Sequence, residues 1–225
     1  MSVNKNLFKD RINKSSRKEM AKELITAIDA GNDSVHKLLF GSTSIDEYSK
    51  HGSYKQGMHD YCSKLTGNSF TEKRLCRCMY YKNSTYQTEC GVCGYQNRFK
   101  VTGDYQIIDY EVPAFYYGDG IGEIDLIISD GVDRYATEVK PYKNNEETLL
   151  RMVAEIMTYT DGYEEGVYKK AIAFFEKNYE DGSFTSQQKE YDAKESEIIE
   201  LILKADITVF RFEIAGEREF RICRL

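Results

Sequence analysis

The sequence predicts an α/β fold in which helices flank a mixed β-sheet. Segments in which apolar and polar residues alternate one by one, as in strands, are separated by segments with apolar residues at helical spacing. The chain has 225 residues and is 41% hydrophobic, which is enough for a buried core. No apolar run approaches the length of about 18 residues that a membrane-spanning helix needs.

The N-terminal part of the chain is predicted to be helical. Residues 16–40 carry apolar residues at helical spacing and are interrupted at Gly31-Asn32-Asp33, a pattern that favours two helices. Ser16 and Glu19 fit a capping box at the start of the first helix.

The remaining elements are expected to follow in chain order. Leu149, Met152, Val153 and Ile156 lie at helical spacing, whereas the last two segments of the chain alternate as strands do. We expect a helix at 54–66, a cysteine-rich module at 71–100, strands at 105–117, 123–130 and 134–142, a helix at 144–160, a strand at 169–176, a charged amphipathic helix at 185–204, and strands at 207–213 and 218–224.

One predicted hairpin brings three ionisable side chains together. The apolar strand 124–128 carries Asp125, and the return strand carries Glu138 and Lys140, which share a face because they are two residues apart. An Asp-Gly turn within 130–132 places Asp125 at the level of Glu138. Two carboxylates and an ammonium group suit Mg²⁺ or Mn²⁺ and an attacking water, although charges on a solvated hairpin face are also common.

These residues resemble the motif of the PD-(D/E)XK nuclease superfamily. The match consists of Asp125, twelve intervening residues, and then Glu138-Val139-Lys140. The string Gly-Glu-Ile-Asp-Leu-Ile followed by Glu-Val-Lys is similar to small Holliday-junction-resolvase-like members. The resemblance covers residues 105–177 and implies a restriction-endonuclease-like mixed β-sheet that is flanked by helices.

The resemblance also implies roles for individual residues. Asp125 and Glu138 would hold a catalytic Mg²⁺ or Mn²⁺, with the Val139 carbonyl as a further ligand, and Lys140 would act on the nucleophilic water. The helix that follows would support the site, because RecB-type members carry Gln-x-x-x-Tyr there; in this chain Tyr159 matches that pattern and Glu155 departs from it.

Members of the superfamily usually add an acidic residue from an N-terminal helix. Glu19 already fits the capping box, whereas Glu23 borders the apolar stripe of the same helix. Glu23 is therefore the candidate for this position, with a solvated helix charge as the ordinary alternative.

Four of the six cysteines form a second pattern. Cys76-x-Cys78 is followed after eleven residues by Cys90-Gly-Val-Cys93, and paired thiolates of this kind suit a tetrahedral structural Zn²⁺ site. The Cys90–Cys93 half resembles a zinc-ribbon knuckle. Two disulfides, an iron–sulfur cluster and buried free thiols remain alternatives at this point, and the expected cytosolic location disfavours the disulfides.

Charge is distributed unevenly along the chain. The net charge is −6, but residues 1–100 carry 17 Lys and Arg against 10 Asp and Glu, and residues 101–225 carry 14 against 27. Basic residues interleaved with aromatic ones suit contact with phosphates and bases, although a solvated loop surface would look the same. The predicted nucleic-acid-binding residues are Lys73, Arg74, Arg77, Lys82, Arg98 and Lys100.

Taken together, these patterns predict a metal-dependent nuclease that hydrolyses phosphodiester bonds of nucleic acid, with DNA as the expected substrate. We expect a helical N-terminal part of the nuclease domain at 1–70, a zinc-binding insertion at 71–100 and the nuclease core at 101–225. The alternative is a non-catalytic nucleic-acid-binding protein with the same fold and a zinc module. Since no signal-peptide pattern opens the chain, we expect a cytoplasmic protein without a membrane partner.

Overall fold

The fold is described from a computed structural model of the chain. The structure describes residues 16–40, 52–53, 56–57, 71–83, 100–114, 122–143, 147–216 and 219–225.

Six helices and seven strands make up the described part of the chain. The helices are α1 (Arg17–Ala30), α2 (Asn32–Phe40), α3 (Glu72–Asn83), α4 (Leu149–Thr160), α5 (Ser186–Asp192) and α6 (Ser196–Lys204). The strands are β1 (Lys100–Thr102), β2 (Gln106–Pro113), β3 (Glu123–Ser129), β4 (Arg134–Lys140), β5 (Lys169–Phe175), β6 (Ile207–Gly216) and β7 (Glu219–Arg224).

The strands form one mixed sheet in the order β1-β7-β6-β5-β4-β3-β2. Strands β4, β5 and β6 run parallel to one another, and β1 runs parallel to β7. The remaining neighbours, β2–β3, β3–β4 and β6–β7, are antiparallel. The predicted α/β class with a mixed sheet is therefore confirmed.

Helices cover both faces of this sheet. On one face, α1, α4 and α6 pack against a layer that includes Ile127, Ala136 and Ile172. On the other face, α3 contributes Leu75 and Met79 to a second cluster that is rich in aromatic side chains. Because both faces are covered, the central strands are apolar on both sides, and any charge on them lies in a largely dehydrated setting.

Most predicted elements are present, with local differences. The predicted helix over 185–204 is divided into α5 and α6 where Lys194 adopts a positive φ of 50°. Ser16 occupies the N-cap position of α1, but its side chain makes no capping hydrogen bond, so the predicted capping box is not formed. The short strand β1 was not predicted, because three residues carry too little periodicity to reveal a strand.

The predicted cysteine-rich module begins with a helix. Leu75, Cys76, Met79 and Tyr80 are buried on one side of α3, at the i, i+1, i+4 and i+5 spacing of an amphipathic helix. Most of the predicted helix at 54–66 lies outside the described residues. None of the described helices is long and apolar enough to cross a lipid bilayer.

Candidate metal and catalytic site

The site lies where the β3–β4 hairpin opens. The ladder between the two strands runs from the Ser129–Arg134 pair to the Leu126–Thr137 pair, so Asp125 and Glu138 are the next residues on their strands. The backbone N–H of Val139 donates to Oδ2 of Asp125 at 2.8 Å. This register brings Asp125 to the level of Glu138, as the hairpin pattern predicted.

Three carboxylates converge at this point. Glu72, in the first turn of α3, joins Asp125 and Glu138, and one carboxylate oxygen from each of the three lies within 4.8 Å of the other two. Glu138 is only 2% exposed. Its Oε2 atom is buried and has no hydrogen-bond partner among the described residues.

Lys140 lies at the centre of the cluster. Its Nζ atom contacts Oε1 of Glu138 and lies 2.9 Å from Oε2 of Glu72, 2.9 Å from Oε2 of Glu147 and 3.4 Å from Oε2 of Glu155. The side chain of Lys140 is 4% exposed. An ammonium group has three N–H donors, so it cannot donate to four carboxylates at once.

Negative charge exceeds positive charge in this cluster. Arg151 is the second cation and pairs with Glu147 at 2.8 Å and with Glu155 at 3.1 Å. Five carboxylates thus share one ammonium and one guanidinium group, which leaves a formal charge of −3 if all of them are ionised. The carboxylates are Glu72, Asp125, Glu138, Glu147 and Glu155.

The pKa values of these groups reflect this imbalance. Burial raises the pKa of Asp125 and of Glu138 well above the usual carboxyl range, and the neighbouring carboxylates raise both further. Burial likewise raises the pKa of Glu72. Glu155 differs: burial acts to raise its pKa, but the charges of Lys140 and Arg151 and the hydrogen bonds of its carboxylate together outweigh burial, and the pKa is lowered. Burial acts to lower the pKa of Lys140, but the negative charges of the neighbouring carboxylates, with Glu138 and Asp125 first among them, together outweigh burial and raise it.

The donor set fits a hard divalent cation. All three converging ligand atoms are carboxylate oxygens, which Mg²⁺ and Mn²⁺ prefer, and one oxygen of Glu138 is buried without a hydrogen-bond donor. A cation bound to Glu72, Asp125 and Glu138 would offset the excess negative charge. The predicted Val139 carbonyl ligand stays a prediction.

Tyr159 lies beside this cluster, on the last turn of α4. Burial raises its pKa, and the charges of Glu138 and Glu155 raise it further. Its ring packs on the backbone of Gly122, which precedes β3 and has a φ of +140°. A Cβ atom on Gly122 would lie 2.5 Å from Cε1 of Tyr159, so the ring needs a glycine at this position.

Replacing Gly122 with Ala is expected to lower the free energy of unfolding by about 1–3 kcal/mol, because the new methyl group overlaps the Tyr159 ring. Gly131→Ala is the matched control, since Gly131 also has a positive φ, of +92°, but has no atom within 4 Å of an added Cβ. Unfolding in denaturant measures the free energy of unfolding of both variants and of the wild type. A loss in Gly122→Ala no larger than that in Gly131→Ala would contradict the assigned contact.

The structure brings Asp125, Glu138, Lys140 and Tyr159 together but not Glu23. Glu23 is exposed on α1 and lines a surface groove between α1 and α2 with Lys22 and Lys37. The helix-borne acidic residue of the cluster is instead Glu72. The helical spacing of the apolar residues in 72–83 could have revealed it, but the cysteines led that segment to be assigned to the zinc-binding insertion at 71–100.

The structure describes the side chains of four of the six predicted nucleic-acid-binding residues, namely Lys73, Arg74, Arg77 and Lys100. Arg74 is 1% exposed and Arg77 is 4% exposed, so neither guanidinium group is presented to a surface ligand, and we withdraw these two contacts. Lys73 is half-exposed and pairs with Glu123 at 2.8 Å, and Lys100 pairs with Glu219 at 2.9 Å. The side chain of Lys82 and all of Arg98 lie outside the described residues.

The four-cysteine site is described only in part. Cys76 and Cys78 lie two residues apart on α3 and therefore point about 200° away from each other. Cys76 is buried in the core, and burial raises the pKa of its thiol, which disfavours the thiolate that Zn²⁺ binds. Cys90 and Cys93 lie outside the described residues, so bound zinc stays a prediction that elemental analysis of the purified protein would test.

Comparisons with known proteins give one weak structural similarity. No protein-family model matches the chain, and no curated protein matches it either. Among solved structures, the chain is similar to SfsA from Pyrococcus furiosus, which was determined in complex with Ca²⁺. The two are 19% identical with a TM-score of 0.29, and the match covers 54% of this chain and 55% of SfsA. The similar region thus spans only about half of the SfsA chain.

Proposed function

We propose that this protein is a metal-dependent nuclease with a restriction-endonuclease-like core of the PD-(D/E)XK type. The observation that carries the proposal is the convergence of Glu72, Asp125 and Glu138 around a buried Lys140. In the described part of the chain, this is the one place where three potential metal-ligating side chains come together.

Three residues would hold the metal ion. Glu72, Asp125 and Glu138 supply oxygen ligands from three different elements, and the Val139 N–H fixes the Asp125 carboxylate in orientation. The bound ion would lower the pKa of a coordinated water and polarise a phosphoryl oxygen of the substrate. A rigid hydrogen bond from the backbone suits this role, because a carboxylate that is already oriented loses little entropy on binding a metal.

Lys140 would act on the reacting groups. Its ammonium group is held among carboxylates, which keep it protonated, and this makes it a donor rather than a base in the arrangement described. A protonated Lys140 would orient the attacking water or offset the charge that develops on the phosphate in the transition state. Glu155 and Arg151 would support Lys140 from α4, through the 3.4 Å contact of Glu155 and the pairing of Arg151 with Glu147 and Glu155.

A cleavage assay tests the proposal. The purified protein should be incubated with linear duplex, circular, branched and single-stranded DNA and with single-stranded RNA, each in Mg²⁺, in Mn²⁺ and in chelator. We expect cleavage of at least one nucleic acid that depends on the added metal. Saturable binding of nucleic acid without cleavage under any of these conditions would instead support the non-catalytic alternative.

A further inference from the structure

Besides the contact of Glu72 itself with Lys140, two ion pairs anchor helix α3 to the sheet. Lys73 reaches Glu123 at the start of β3, with 2.8 Å between Nζ and Oε2. One helical turn later, Arg77 reaches Glu111 on β2. Because Lys73 and Arg77 are four residues apart, both contacts lie on the side of the helix that faces β2 and β3.

The Arg77–Glu111 pair is the stronger anchor of the two. Nε of Arg77 donates to Oε1 of Glu111 at 2.9 Å, and Nη2 donates to Oε2 at 2.8 Å. The two side chains are 5% and 6% exposed, whereas that of Lys73 is 53% exposed. A two-pronged, buried Arg–carboxylate pair holds both groups in a defined geometry, and water does not weaken it as it weakens a surface pair.

The backbone of Glu111 departs from ordinary strand geometry. Its φ is +50°, a conformation that costs free energy for a residue with a side chain, and the register of β2 against β3 shifts between Ile107 and Asp109. A strained residue persists only where the surrounding structure fixes it. At Glu111, the buried ion pair with Arg77 offsets the cost of this backbone conformation.

We infer that Glu111 and Arg77 are positioning residues for the metal site and act through Glu72. Glu72 is five residues before Arg77 on α3, so about 7.5 Å of helix separates the anchor from the ligand. A small rotation or translation of α3 would move the Glu72 carboxylate away from those of Asp125 and Glu138, with which it now lies within 4.8 Å. This inference rests on the proposed metal site, and its test does not require catalysis.

The test is a double-mutant cycle on Mn²⁺ affinity, measured by electron paramagnetic resonance titration of the free protein without nucleic acid. Four proteins are compared: wild type, Glu111→Gln, Glu72→Gln and the double variant. Glu111→Gln is expected to weaken Mn²⁺ binding about tenfold in the wild-type background, because groups that orient a ligand contribute to affinity on that scale. In the Glu72→Gln background it should have almost no further effect, since the residue through which it acts is gone.

Controls separate positioning from general loss of stability. Arg77→Lys keeps the charge but loses the two-pronged bond, so it should weaken Mn²⁺ binding as Glu111→Gln does. Glu213→Gln removes the carboxylate that pairs with Arg211 on β6, two strands from β4, and should leave Mn²⁺ affinity unchanged.

Three outcomes would overturn the inference. The first is an unchanged Mn²⁺ affinity in Glu111→Gln and Arg77→Lys. The second is an equal weakening in the wild-type and Glu72→Gln backgrounds, because the pair would then act on stability alone. The third is a wild type without saturable Mn²⁺ binding, which would overturn the metal site as well. If Mn²⁺ binding is saturable and shows the expected pattern among the four proteins, but the wild type cleaves no nucleic acid, this inference is upheld and the proposed nuclease function is contradicted.

Discussion

Asp125→Asn and Lys140→Ala are each expected to reduce metal-dependent cleavage by about a hundredfold or more, because each removes a group that would act on the metal ion or on the reacting phosphate. Asn can still accept the hydrogen bond from the Val139 N–H, so Asp125→Asn changes the charge with little change in shape. Initial rates at saturating substrate, in Mg²⁺ and in Mn²⁺, measure the loss.

Matched controls lie at the closed end of the hairpin. Asp133, in the turn between β3 and β4, and Lys169, at the start of β5, form an exposed ion pair remote from the opening of the hairpin. Asp133→Asn and Lys169→Ala should therefore keep wild-type cleavage. Wild-type rates in both Asp125→Asn and Lys140→Ala would show that the site has been assigned to the wrong residues.

Metal-free protein is expected to lose stability as the pH rises, and bound metal is expected to restore it. The pKa values of Asp125, Glu138 and Glu72 are raised in the folded state, mainly by burial. The folded state therefore retains protons that the unfolded chain has already released. The free energy of unfolding falls as the pH rises above about 4, where unfolded carboxyl groups ionise.

Glu155 contributes with the opposite sign. Burial acts to raise its pKa, but Lys140, Arg151 and hydrogen bonding together lower it in the folded state. Its contribution is therefore present above the unfolded carboxyl pKa and is lost as the pH falls through the folded value. Three raised groups oppose one lowered group, and we expect the raised groups to dominate. Metal-free protein should be more stable near pH 5.5 than near pH 8, each an approximate value above the carboxyl range.

Asp125→Asn should reduce this loss of stability with rising pH, because one of the three raised carboxyl groups is removed. Without metal at neutral pH, the variant is expected to be more stable than the wild type by about 0.5–2 kcal/mol, because it removes one of the mutually repelling buried carboxylates. Saturating Mn²⁺ should stabilise the wild type but have a smaller effect on the variant. Thermal unfolding in chelator and in Mn²⁺ at two pH values measures this.

Asp133→Asn again serves as the control, because the Asp133 carboxylate lies outside the cluster. It should leave both the pH dependence and the stabilisation by metal unchanged. Two results would contradict the charge imbalance described for this site. One is a metal-free wild type that becomes more stable as the pH rises from 5.5 to 8, and the other is a metal-free Asp125→Asn variant that is less stable than the wild type at neutral pH.

The sequence by itself determined the hairpin and its three ionisable residues. The Asp-Gly turn sets the pairing of β3 with β4, and a slip of one residue would turn Asp125 to the other face of the sheet. Asp125, Glu138 and Lys140 therefore met as predicted. The helix that carries Tyr159 was equally visible, since Leu149, Met152, Val153 and Ile156 lie at helical spacing and are all buried.

Tertiary structure alone decided which helix supplies the third carboxylate. Glu23 lies in the middle of one amphipathic helix and Glu72 in the first turn of another. Helical periodicity shows which face of each helix is buried but not which element of the fold that face meets. Packing places α1 on one face of the sheet with α4 and α6, and places α3 on the opposite face beside the open hairpin.

The fate of the basic residues was also decided in three dimensions. Composition placed Arg74 and Arg77 in a basic cluster, but it could not reveal that Glu111, 34 positions later, adopts a left-handed backbone and takes Arg77 into a buried pair. Long-range pairing of this kind depends on how β2 bends and where α3 docks. Local sequence patterns specify elements and their faces, whereas contacts between distant elements arise only when the whole sheet is assembled.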